Sequence, residues 1–170
     1  MPTLETLERF ISRVEENAHV QAIQEFYGDR ASMQENNAPP RVGRDTLVAH
    51  EAAALARASS VRSTCVQPFF LNGDHAVIRW IFEFTWKDGS TSRIEELAWQ
   101  RWEGEKIAQE QFFYDPRQFA AKPAAWRRPR AASLSRRRQP PQAAQAGGQD
   151  HPGLQGEAGQ RQPQAGWLAP

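Results

Sequence analysis

The chain has 170 residues, with 21 Lys+Arg against 20 Asp+Glu, a formal net charge of +1 and a single cysteine, Cys65. One cysteine excludes an internal disulfide and a cysteine-rich zinc site, and no apolar run approaches the ~20 residues that span a bilayer. The small net charge is a cancellation: residues 1–117 carry 13 basic and 18 acidic side chains, net −5, and residues 118–170 carry 8 and 2, net +6.

An acidic ordered part argues against nucleic acid or an anionic membrane as partner. The opening "MPTLETLERF" has neither a basic n-region nor an apolar h-region, so a cytoplasmic protein is expected. Leu4, Leu7, Phe10, Ile11 and Val14 recur at helical spacing, with Thr3 placed to cap them. Asn17 is read as the cap of a second, short helix carrying Val20, Ile23, Phe26 and Tyr27, which Gly28 stops. "ASMQEN" (residues 31–36) reads as a short strand, and the Pro pair in "NNAPPRVG" makes a loop. Asp45 is expected to cap a third helix, "TLVAHEAAALARA".

From residue 61 the pattern becomes extended. Asn72-Gly73, Asp88-Gly89 and Glu103-Gly104 separate four runs that read as an antiparallel meander. Long strands in a twisted sheet curl, and three preceding helices can cover one face only. The expected fold is α+β: a cone-shaped, curved antiparallel sheet with three N-terminal helices enclosing a pocket. Residues 118–170, built mostly from Ala, Gln, Pro, Arg and Gly, are expected to be a disordered tail. Its "RRPR" and "SRRR" runs are read as solvated.

This order of elements, with "EFYGDRASMQEN", "VGRDTLVAH" and the final "GEKIAQEQFFYDP", resembles the nuclear transport factor 2-like superfamily. Over residues 3–117 it is most similar to the SnoaL-like, polyketide cyclase-like branch, which shares the ketosteroid isomerase fold. The resemblance puts the isomerase's catalytic base at Glu35. It puts Phe10 and Ala98 where the isomerase has oxyanion-binding donors, which removes the case for steroid isomerisation. It also implies that the face carrying Glu110 and Tyr114 turns inward, and that the chain forms a homodimer through its uncovered sheet face.

The candidate catalytic residues are therefore Glu35, Glu110 and Tyr114. Tyr27, Met33, Trp80, Phe82, Gln100, Trp102 and Phe112 are the candidate ligand wall. A carboxyl among aromatics loses hydration and rises in pKa, so two nearby carboxyls can supply one acid and one base at neutral pH. The expected activity is cofactor-independent acid–base catalysis on a small hydrophobic, carbonyl-bearing molecule. The alternative is a non-catalytic binding or dimerisation module. Other readings of single residues stay open: Glu35 as an anchor for the Pro loop, Glu110 paired with Arg79 or Arg101, and the Trp80–Trp86 row as core or dimer surface. Which face of strand 75–87 lines the pocket is also open. The His spacing does not suit a metal, and none is expected.

Overall fold

The computed structural model describes residues 1–119; the tail read from the sequence lies outside them, apart from residues 118 and 119. Within these residues three helices, α1 (Leu4–Glu15), α2 (His19–Phe26) and α3 (Arg44–Leu55), cover one face of a six-stranded sheet. The strands are β1 (Tyr27–Glu35), β2 (Arg41–Val42), β3 (Ala58–Asn72), β4 (His75–Trp86), β5 (Thr91–Glu103) and β6 (Lys106–Tyr114), in spatial order β2-β1-β6-β5-β4-β3.

The expected meander is present as β3 to β6, turned by Gly73, Gly89 and Gly104, each at positive φ. The sheet is mixed rather than wholly antiparallel, because β1 returns from the helices to run parallel to β6. β1 is also longer than expected. It begins at Tyr27, so Gly28 lies within the strand and does not stop α2. The loop after the Pro pair carries the two-residue β2, paired to Ser32 and Met33.

Thr3 caps α1 as expected, its hydroxyl accepting from the Thr6 N–H at 3.1 Å. Two other caps differ. Ala18 precedes α2 without a side-chain bond, and Asn17 instead turns its amide toward β3. Gly43 precedes α3, leaving Asp45 in the first turn, where its charge complements the helix dipole.

Strand alternation decides what faces the helices. On β4, Ala76, Ile78, Trp80, Phe82 and Phe84 are buried and point inward, so the aromatic row belongs to the interior. The α1 stripe of Leu7, Phe10, Ile11 and Val14 packs in the same core. Beyond β6, Gln118 stays with the domain: its side-chain carbonyl accepts from the Glu95 N–H at 2.6 Å, and its amide donates to the Glu95 carbonyl at 3.2 Å.

Candidate active site

The inner sheet face carries carboxyls where a structural sheet would carry valine. Glu35, Glu96 and Glu110 alternate inward with the apolar residues of their strands, and Glu51 faces them from α3; all four are at least 97% buried. On β5 and β6 the register sets Glu110 opposite Gln100, Phe112 opposite Ala98, and Tyr114 opposite Glu96. On β1 and β6 it sets Met33 beside Glu110 and Glu35 beside Phe112.

Glu110 is held from two sides. The Tyr27 hydroxyl donates to its Oε2, and Gln100 Nε2 donates to its Oε1 at 2.6 Å. Trp102 Nε1 donates to Gln100 Oε1 at 3.1 Å, which fixes the orientation of that amide. Burial pushes the Glu110 carboxyl up from 4.5 to about 7, against the lowering effect of the Tyr27 and Gln100 bonds. Burial, with the Glu110 charge beside it, also drives the Tyr27 phenol well above 10, so it remains a donor.

Glu35 makes a separate pair. Arg41 Nη1 donates to its Oε1 at 2.6 Å, and the Tyr114 hydroxyl donates to its Oε2 at 2.8 Å. Burial again wins over these bonds and raises its carboxyl to about 7. The Asn36 amide side chain, next along, accepts from the Tyr114 N–H at 3.1 Å and ties this corner to β6.

Glu96 differs from both. Among the described residues neither of its oxygens has a hydrogen-bond partner. Burial, then the charges of Glu110, Glu35 and Glu51, hold it protonated well above the ordinary carboxylate range.

A cavity of about 30 Å³ lies between the helices and this face. Phe10, Tyr27, Met33, Trp80, Phe82 and Phe112 wall it, with Glu110 on the sheet side and His19 and Glu51 on the helix side. Of the residues singled out from sequence, Tyr27, Met33, Trp80, Phe82, Phe112 and Glu110 meet there. Gln100 and Trp102 stand behind Glu110 as its hydrogen-bond chain. Glu35 and Tyr114 meet each other and are not on the cavity wall. Nor does Glu110 pair with arginine: Arg79 binds Glu95, and Arg101 binds Gln109 and Glu103.

Three groups escaped the sequence reading: His19, Glu51 and Glu96. The signal for Glu51 was its place with Leu47 and Ala54 on one buried helical face. That for Glu96 was its alternation with Ile94 and Ala98. Cys65 is buried and free, its thiol raised to about 11 by burial, which keeps it protonated and unreactive. Among the described residues no three His, Cys, Asp or Glu side chains are placed to hold a metal ion, and no helix is long and apolar enough to cross a membrane.

A curved, unclosed mixed sheet covered on one face by three helices is the ketosteroid isomerase-type architecture of the nuclear transport factor 2-like superfamily. Residues 7–110 match the SnoaL-like domain, and the chain belongs to that family. Solved structures agree on the fold. A protein assigned as a SnoaL-like polyketide cyclase from Mesorhizobium loti is 19% identical, with a TM-score of 0.57 over 67% of this chain and 100% of its own. A protein of ketosteroid isomerase-like fold from Catenulispora acidiphila, solved with trimethylamine, is 19% identical, with a TM-score of 0.60 over 73% and 98%. An NTF2-like protein of unknown function from Burkholderia pseudomallei is 11% identical, with a TM-score of 0.57 over 66% and 89%. No curated protein matches the chain.

Proposed function

We propose that the domain is a cofactor-independent acid–base enzyme acting on a small, largely hydrophobic, carbonyl-bearing molecule. The observation that carries this reading is Glu110, a fully enclosed carboxyl on an aromatic cavity wall whose pKa sits near 7. With its carboxyl raised to about 7, Glu110 is present near neutral pH in both forms: the carboxylate takes a proton from the carbon beside a carbonyl, and the acid so formed returns it to another atom. Glu96 lies off the cavity wall, so no contact with the substrate follows from its position. Of the set read from sequence, Glu35 and Tyr114 are likewise off that wall and bond to each other.

Burying four carboxyls in one small domain, with Glu96 and Glu51 Oε2 left without partners among the described residues, supports a functional purpose, because each such unpaired group costs stability that an apolar residue would not. The test needs no knowledge of the product. The protein is incubated in D2O with a panel of small cyclic ketones, and loss of the α-proton signal is followed by NMR. The wild type is expected to exchange at least one ketone, and Glu110→Gln to slow that exchange by about 10²–10⁴-fold. A Glu110→Gln protein that exchanges at the wild-type rate removes Glu110 from the chemistry.

The second reading, a binding or dimerisation module, draws support from the size of the cavity. About 30 Å³ is far below the ~300–1,000 Å³ that enclose drug-sized ligands, so larger molecules enter only if the aromatic walls move. Absence of exchange with every ketone favours this reading. Either way we propose a homodimer through the outer sheet face. Leu97 and Phe113 face each other across β5 and β6 there and are 47% and 46% exposed.

A further inference from the structure

The helix side of the cavity holds an arrangement that the proposed chemistry leaves unused. His19 Nδ1 lies 3.0 Å from Glu51 Oε1, and His19 Nε2 lies 2.8 Å from Ser63 Oγ. The His19 ring is further fixed edge-on against Phe82, at 5.7 Å between centroids. Serine, histidine and glutamate in this order suggest a nucleophilic triad. The donors and acceptors around them assign the protons otherwise.

The Ser63 backbone N–H donates to Asn17 Oδ1 at 3.1 Å, which fixes that atom as the amide oxygen. Ser63 Oγ lies 3.0 Å from the same oxygen and therefore gives it its one proton. Ser63 Oγ is left to accept, and His19 Nε2 must carry the hydrogen it accepts. In this arrangement the imidazole cannot draw a proton from Ser63. A single proton remains between His19 Nδ1 and Glu51 Oε1. On nitrogen it makes imidazolium facing carboxylate; on oxygen it makes imidazole facing carboxylic acid. In both forms the other oxygen, Glu51 Oε2, is a bare acceptor.

That oxygen has no hydrogen-bond partner among the described residues, although Glu51 is 1% exposed and on the cavity wall. Buried acceptors are ordinarily satisfied, so this one marks a place for a donor. We propose that Glu51 Oε2 is a ligand-binding acceptor, taking an O–H or N–H hydrogen from a small molecule in the cavity, with His19, Ser63 and Asn17 as positioning residues. The class of ligand follows from the acceptor: a hydroxyl or an ammonium group, not a group that offers lone pairs alone. The volume of about 30 Å³ limits it to a few heavy atoms unless the walls move. This assignment holds whether or not Glu110 transfers protons.

The test uses full-length protein labelled with 15N-histidine and three probes of similar size: methanol, methylammonium and acetonitrile. His19 resonances are identified by their loss in His19→Gln. A protonated Nε2 is expected, together with a saturable shift of His19 Nδ1 caused by methanol, by methylammonium or by both, and none by acetonitrile. Response to methanol alone identifies the site as one for hydroxyls, and response to methylammonium alone as one for ammonium groups. In a folded Glu51→Leu protein the affinity for the responding probe should fall about tenfold or more, as for loss of a hydrogen bond to a charged group. If that variant does not fold, the comparison with acetonitrile in the wild type decides. Saturation by neither donor, an equal response to acetonitrile, an unprotonated Nε2, or unchanged affinity in Glu51→Leu overturns the proposal.

Discussion

Raising the pH from 4.5 to 8 should destabilise this domain, and the size of the loss can be worked from two side chains. Glu35 and Glu110 are each raised from 4.5 to about 7 in the fold. Between those values the unfolded chain has released both protons while the native state keeps them. The native state then binds more protons, so stability falls as pH rises through the window, and the part due to these two carboxyls levels off above about pH 7. At roughly 1.4 kcal/mol per pH unit, each carboxyl accounts for about 3 kcal/mol, a large share of a typical total of ~5–15. Glu51 and Glu96 are raised in the same sense and add to the slope. Asp88, Glu95, Glu105 and Asp115 are lowered by their hydrogen bonds; they act with the opposite sign, at the acid side of the window. Urea unfolding followed by tryptophan fluorescence at half-unit steps of pH measures this directly. In Glu110→Gln the slope should drop by about 3 kcal/mol across the window, making the variant the more stable protein at pH 8. A wild-type stability that is flat or rises between pH 5 and 7 refutes the reasoning.

Arg41→Met removes a partner that lowers Glu35, so the Glu35 carboxyl should titrate above 7, and the fall in stability should extend to higher pH in the same urea experiment. Thr3→Ala deletes the hydroxyl that caps α1 and should cost about 1 kcal/mol, seen as a lower thermal midpoint. Leu97→Glu combined with Phe113→Glu sets like charges on the outer sheet face and should convert the proposed dimer to monomers by light scattering, with the circular dichroism unchanged.

Much of the fold was legible because its signals are local. The α1 stripe and the Asn72-Gly73 and Asp88-Gly89 turns each follow from spacing within a dozen residues, and so does the grouping of Trp80, Phe82 and Phe84 on one face, though not the direction in which that face points. The parallel seating of β1 against β6 was not legible from residue patterns, because nothing in "ASMQEN" records which distant strand it joins. The site was half legible for the same reason. Glu110 and the aromatics fall on an alternating face, whereas the Glu35–Tyr114 and His19–Glu51 pairs join residues 79 and 32 positions apart. Glu35 illustrates the limit: the family resemblance placed it as an inward acid, but the Arg41 and Tyr114 bonds that fill both its oxygens could not be read from the chain. Asn17 shows a local rule giving way to a distant one. Its amide serves Ser63 across the interior, so the adjacent helix is left without a side-chain cap.

The account rests on a cavity-lining carboxyl that titrates near neutral pH, and a carbon-13 NMR titration of protein labelled at the glutamate Cδ tests this most directly. The Glu110 resonance is identified by its absence from Glu110→Gln. Its midpoint should fall near 7, well above the ordinary glutamate value of about 4.3; a Glu110 midpoint at or below that ordinary value would contradict the account.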